Sequence, residues 1–162
     1  MKLVALLFAF VLLAPAQFNY RRAPGFALPD MQQKWHDIAD YRGKVVVLDI
    51  MRTDCPHCKT ITSTLEQVKT KYAGKLQILS VITMPDNMNS VQAYAKANKV
   101  TVPMLFDCGQ MIASYLKLGP QNPTVDLPTV YVIDRNGMIR TELKGEAATP
   151  PAILGAIEAA LQ

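Results

Sequence analysis

Cys55 and Cys58 enclose Pro56 and His57, and this tetrapeptide is the stretch best equipped for chemistry. Two thiols at this spacing can hold part of a metal site, close into a structural clip, or cycle between dithiol and disulfide. Their surroundings favour the last. A hydrophobic run, Val45 to Met51, comes just before the pair. A helical pattern follows, in which Cys58, Ile61, Leu65, Val68 and Tyr72 recur at spacings of three and four. The pair therefore sits where a strand hands over to a helix. Pro56 falls at the first helical position, where its missing N–H costs nothing and its fixed φ suits the turn. Side chains three apart on a helix are neighbours, close enough for a disulfide without large backbone movement.

This placement divides the labour between the thiols. At the helix start Cys55 meets unpaired N–H groups and the positive end of the helix dipole, which stabilise a thiolate there. His57 adds a neighbouring donor or an imidazolium. Cys58 faces inward and remains a thiol until it resolves a mixed disulfide on Cys55. Asp49, six residues before Cys55, is the one charge in the apolar strand. Burial would raise its pKa and make it a proton acceptor for the Cys58 thiol. The alternative is that strand alternation turns Asp49 to solvent or to a salt bridge. Apolar residues on both sides of the strand favour burial.

The elements around the pair form one domain, the expectation for 162 residues of which half are hydrophobic. Residues 1–16 read as a signal peptide: Lys2, an uncharged run from Leu3 to Leu13, then Ala14-Pro15-Ala16. That run is shorter than the ~20 residues of a spanning helix, so an uncleaved anchor is the weaker reading. The domain is then 17–162. Export would place the protein in the periplasm or otherwise outside the cytoplasm, where disulfides persist. The formal net charge of +4 carries no basic cluster beyond Arg21-Arg22, so nucleic acid is not implied. The two histidines leave little for a multi-histidine metal site, and no cofactor or metal is expected.

After the first helix, Lys75 to Ile82 reads as a strand, and Asp86 to Ser90 supply caps for a helix reaching about Asn98. Val102 to Phe106 reads as a third, parallel strand, and a short helix spans about Gln110–Leu118. This order puts Asp107-Cys108 at the same end of the sheet as Cys55. Val130 to Ile133 and Met138 to Lys144 form a hairpin through the Asn136-Gly137 turn. Thr149 caps a last helix with Pro150 at its first position. Trp35 is expected to pack in the N-terminal hairpin and His36 to be exposed. Cys108 is expected to be a small, partly buried hydrophobe in a tight turn, or else a third redox thiol.

Strand, Cys-Pro-x-Cys and amphipathic helix together resemble the thioredoxin superfamily. The segment Asp40 to Leu48 resembles its TlpA/ResA-like extracytoplasmic branch, and the likeness spans roughly residues 23 to 161. The resemblance implies a thioredoxin fold of α/β class. It consists of a central mixed β-sheet flanked by helices, an N-terminal strand extension and a central helix–strand insertion. It also implies that Pro128 is cis and lies against the cysteine pair, leaving the backbone of Leu127 free to pair with a substrate chain. Partners would be thiol- or disulfide-containing proteins and a membrane redox partner, with the protein itself a monomer.

The chain departs from the family in three places. Asp54 stands where thioredoxins carry an aromatic residue, and its charge opposes the Cys55 thiolate. Thr83-Met84 stands where TlpA/ResA-like reductants carry a buried Glu. The dipeptide Pro56-His57 resembles the DsbA type of oxidant. The direction of electron flow is therefore open, between about −270 mV for thioredoxin and about −120 mV for DsbA.

Two other functions compete. A peroxiredoxin-like thiol peroxidase shares the fold but needs Thr or Ser where Arg52 stands, although Arg52 could bind peroxide as a cation. A copper or zinc carrier would use Cys55, Cys58 and either His36 or Cys108. Its copper-chaperone relatives space the cysteines one residue wider. A purely structural clip gains little, because so short a loop removes little chain entropy.

Overall fold

Val45–Met51 is a strand in which every residue is shut off from water, because helices cover both of its faces. The computed structural model describes residues 20–162, and this strand lies inside its main sheet. In chain order, β1 (Arg21–Arg22), β2 (Ala27–Pro29) and β3 (Trp35–Asp37) precede β4 (Val45–Met51). There follow α1 (Pro56–Lys71), β5 (Leu76–Ile82), α2 (Met88–Asn98), β6 (Met104–Phe106) and α3 (Gln110–Leu116). The last elements are β7 (Thr129–Ile133), β8 (Met138–Lys144) and α4 (Pro150–Leu161). Six strands form one sheet in the order β1-β8-β7-β4-β5-β6, and β2 and β3 pair separately as a hairpin. Strands β4, β5 and β6 run parallel, while β7 is antiparallel to β4 and to β8. This is the mixed sheet with flanking helices that the sequence implies.

Alternation along β4 sorts the core. Val46, Leu48 and Ile50 point to the face where Met111, Ile112 and Tyr115 of α3 pack with Leu79 and Tyr131. Val45 and Val47 point to the other face, against Ile61, Leu65 and Val68 of α1 and Ile153 and Ile157 of α4. Met51 continues that second face and meets Cys58, with Val91 and Tyr94 of α2. Helix α1 is pinned at mid-length by Glu66, whose carboxylate accepts the N–H groups of Thr101 and Val102 at 2.6 and 2.7 Å. Helix α2 begins with a capping box between Asn87 and Ser90, and α4 is capped by Thr149 with Pro150 in its first turn.

The structure changes several expectations. The third parallel strand begins at Met104, two residues later than expected, and α3 stops at Leu116. Trp35 does not pack inside the hairpin, being 65 % exposed. His36 is buried instead of exposed, because it has partners that neutralise the cost of burial. Its Nε2 donates to Asp30 Oδ2 at 2.8 Å, and its Nδ1 lies 2.7 Å from the Tyr41 hydroxyl. Asp30 also accepts the N–H groups of Gln32 and Lys34. Burial alone would raise the Asp30 pKa, but these bonds and the His36 ring outweigh it and hold the carboxyl below its ordinary value.

That balance gives a prediction for stability. Replacing His36 by Ala strands a buried carboxylate, and should cost on the order of 2 kcal/mol in urea unfolding at neutral pH. Because the folded pKa of Asp30 is depressed, its contribution holds above the ordinary carboxylate value and is lost as pH falls through the folded value. Equal stability of His36→Ala and the parent would show that the cluster contributes nothing. Among the described residues no helix is long and apolar enough to cross a membrane. The signal peptide read at residues 1–16 lies outside the described residues.

Candidate active site

Parallel pairing of β4, β5 and β6 brings the chain segments after Met51, Ile82 and Phe106 to one end of the sheet. Antiparallel β7 begins there, since Thr129 pairs with Ile50, so Pro128 arrives at the same end. The turn from β4 to α1 crosses this end and finishes at Cys55, the N-cap of α1. Cys55 and Cys58 form a disulfide with a Cα–Cα separation of 5.2 Å. Cys55 Sγ accepts the Cys58 N–H at 3.1 Å, so the sulfur sits among the free N–H groups of the helix start. Cys55 is half-buried, Pro56 exposed and Cys58 fully buried. His57 is half-buried, and its Nε2 donates to the carbonyl of Ala148 at 3.1 Å, which fixes the ring toward the segment before α4.

Behind the disulfide lies a buried polar layer. Asp49 is fully enclosed on the face of β4 that α1 covers, between Val47 and Met51. Its Oδ2 accepts a long bond from Ser80 Oγ at 3.4 Å, and its Oδ1 has no hydrogen-bond partner. Desolvation raises the Asp49 pKa to about 7, with the Ser80 bond opposing the shift. Thr62, one turn after Cys58, donates to the Cys58 carbonyl and accepts the Tyr94 hydroxyl at 3.1 Å. Burial pushes the Tyr94 phenol up; the Thr62 bond opposes this, and the Asp49 charge adds to it. The phenol therefore stays protonated beside a carboxyl that titrates near neutrality.

The rim of the site is held by charges. Arg52 grips Asp54 in a two-point ion pair, with contacts of 2.7 and 3.2 Å. Asp54 thus opposes the Cys55 thiolate less than its charge alone suggests, and the cation that a peroxide would need is already engaged. Thr53, between them, gives its N–H and its hydroxyl to Asp86. The Leu127–Pro128 peptide is cis, as the resemblance implies, and Met84–Pro85 is cis as well. Leu127, Phe106, Met31 and Cys55 pack against the apolar cluster that contains Met51 and Cys58.

The structure thus brings together Cys55, Cys58, Pro56, His57, Leu127 and Pro128 at one end of the sheet, with Asp49 buried inside β4 behind them. It does not bring His36 to them; both of its ring nitrogens are engaged by Asp30 and Tyr41. Among the described residues no group of three or more His, Cys, Asp or Glu is arranged to hold a metal ion. Cys108 is unpaired and exposed rather than partly buried, because the turn that carries it projects beyond the end of β6. Sequence reasoning missed Ser80, Thr62 and Tyr94 beside Asp49. It read Asp86 only as a capping residue of α2, and nothing in the local pattern points from it to Thr53.

A mixed sheet whose central strand leads into a helix capped by one half of a two-residue-spaced disulfide defines a thiol–disulfide exchange protein of thioredoxin fold. The chain belongs to the AhpC/TSA family, which it matches over residues 20–142. It is 29 % identical over 124 residues to the thiol-disulfide oxidoreductase ResA of Geobacillus thermodenitrificans, covering 76 % of this chain and 67 % of that one. It is 27 % identical over 122 residues to the thioredoxin-like protein YneN of Bacillus subtilis, covering 74 % and 68 %. Among solved structures, a DsbE-like thiol:disulfide interchange protein from Chlorobium tepidum superposes with a TM-score of 0.75 at 26 % identity. That match covers 88 % of this chain and 97 % of the other. The chain is a thiol–disulfide oxidoreductase.

Proposed function

We propose that Cys55 is the attacking thiol and Cys58 the resolving thiol of this oxidoreductase. The observation that carries the reading is the unequal exposure of the bonded pair: Cys55 is half-buried at a helix start, while Cys58 is fully buried. In the reducing direction the Cys55 thiolate attacks a substrate disulfide, forming a mixed disulfide and releasing one substrate thiolate. Cys58 gives its proton to the Asp49 carboxylate and attacks Cys55 Sγ, which expels the second substrate thiolate. Two electrons have then passed to the substrate, and the Cys55–Cys58 disulfide is restored. Oxidation of a substrate dithiol is the same sequence reversed.

Pro56 starts the helix that stabilises the thiolate, and His57, fixed by Ala148, adjusts its charge from the next position. Leu127 and Pro128 border the pair and offer main chain to an extended substrate segment. The working site is outside the cytoplasm, in keeping with the apolar leader read at residues 1–16, and a membrane redox partner renews the pair. The protein acts as a monomer.

Equilibration in graded thiol–disulfide buffers, followed by mass analysis under non-reducing conditions, tests the reading. One two-electron couple joining Cys55 and Cys58 is expected, with Cys108 remaining a thiol and the protein monomeric. The midpoint also settles the direction of flow, a reductant lying near about −270 mV and an oxidant near about −120 mV. A Cys55–Cys108 bridge or a Cys108-linked dimer would overturn the assignment.

A further inference from the structure

We propose that Asp86 is a positioning residue for disulfide exchange: it clamps Thr53 and thereby holds the turn that presents Cys55. The contact joins segments 33 residues apart in sequence. Thr53 N–H donates to Asp86 Oδ2 at 2.7 Å, and the Thr53 hydroxyl donates to Asp86 Oδ1 at 2.5 Å. Ser90 Oγ donates to the same Oδ1 at 2.7 Å, and Ser90 belongs to the capping box of α2. The carboxylate is therefore anchored in a rigid helix start on one side and grips the active-site turn on the other.

The grip reaches Cys55 through a short piece of backbone. Arg52 O accepts the Cys55 N–H, closing Arg52–Cys55 into a turn with Thr53 inside it. Fixing Thr53 at both its N–H and its hydroxyl leaves that turn little freedom. Cys55 follows two residues later as the N-cap of α1, its sulfur aimed at the Cys58 N–H. A thiolate gains from a helix N-terminus only while it is held within reach of those N–H groups, because the effect falls off within one turn. Releasing Thr53 would let the Cys55 sulfur move away from them. Burial disfavours the ionised form of Asp86, but bonds from Thr53 and Ser90 and the nearby Arg52 charge outweigh it and lower its pKa. The clamp therefore stays charged through the working pH range.

The inference rests on Cys55 being the attacking thiol, and its test separates the two ideas. In a Cys58→Ser background the rate of Cys55 alkylation by iodoacetamide is followed against pH. Arg52, Asp54 and His57 flank Cys55 on its own turn and helix, Asp86 lies on the β5–α2 loop, and Asp49 lies behind on β4. Thr53→Val loosens the clamp without changing charge, whereas Asp86→Ala also removes a carboxylate near Arg52 and the acceptor of the Ser90 hydroxyl. Asp86→Ala and the near-isosteric Thr53→Val should each move the profile upward by about half a pH unit or more, as a thiolate loses helix stabilisation. The plateau rate at high pH should change less than about twofold, because the intrinsic nucleophilicity of a thiolate varies only weakly with its pKa. The double variant should shift no further than Asp86→Ala, and Thr53→Ser, which keeps the hydroxyl, should behave as the parent. Reduced melting temperature with an unmoved profile would assign Asp86 a purely structural role and overturn the clamp. A downward shift would also overturn it, since Asp86 would then act as a repelling charge. If Cys55 in the background protein were less reactive than a free thiol at every pH, both the clamp and the attacking role would fall.

Discussion

Cys55→Ser should reduce exchange with protein disulfides by roughly a thousandfold or more, to the level of the uncatalysed reaction. A serine hydroxyl is not ionised by a helix N-terminus at neutral pH, so the attacking anion is lost. Cys58 cannot take over, because it has no exposed surface and faces inward from the first turn of α1, packed with Met51, Val91 and Tyr94. Cys58→Ser should fail differently. Attack by Cys55 remains, but nothing then expels the second substrate thiolate, so mixed disulfides accumulate. Mass analysis of acid-quenched reactions reads this directly: adducts on Cys55 in Cys58→Ser, and none in Cys55→Ser. Stable adducts on Cys58 in Cys55→Ser would reverse the roles of the two thiols. Equal turnover of the two variants would remove any division between them.

The pair and its supports were legible because their signals are local. Seven apolar positions, a Cys-Pro-x-Cys step and a run at spacings of three and four lie within consecutive residues. They dictate strand, cap and helix without help from elsewhere. The burial of Asp49 could be inferred because its neighbours on both faces of the strand are apolar. What stayed hidden depends on contacts between distant segments. Trp35 and His36 alternate on a strand of three residues, too short for a period to show which faces inward. Hydrophobicity favours Trp35 for the inward place, yet His36 takes it because Asp30 and Tyr41 meet its two nitrogens. Cys108 was misjudged for a similar reason: a small apolar side chain tends to be buried, but position at a loop tip decides. The Thr53–Asp86 contact has no signature at all, since both residues fit ordinary turns and caps.

The charges on the rim of the site offset one another. Asp54 opposes thiolate formation at Cys55, while Arg52 offsets it through a two-point contact. The pair is largely solvent-exposed, so screening keeps its influence small. Helix placement, the clamp on Thr53 and the buried acid behind Cys58 therefore weigh more than the rim charges. Of these, only the buried acid titrates near neutrality.

Asp49→Asn should accordingly change both the pH dependence of stability and the resolving step. In the oxidised protein Asp49 keeps its proton up to about pH 7, whereas in the unfolded chain the carboxyl ionises near its ordinary value of 3.8. Between those values the folded state binds more protons than the unfolded state, so stability falls as pH rises, at up to about 1.4 kcal/mol per unit. The full decline attributable to this group is of order 4 kcal/mol, complete once pH exceeds the folded pKa. Asn cannot ionise, so the difference between variant and parent should favour the variant increasingly from pH 4 to pH 8 in urea titrations. Any constant penalty from placing an amide beside the unpartnered Oδ1 position cancels in that comparison. In kinetics, release of a preformed mixed disulfide on Cys55 should slow by about tenfold to a hundredfold in Asp49→Asn, the lower range for loss of a general base. The inflection near neutral pH should vanish with it. A parallel stability profile in the two proteins would mean that Asp49 does not retain its proton. Release that keeps both its rate and its inflection in the variant would exclude Asp49 as the acceptor of the Cys58 proton.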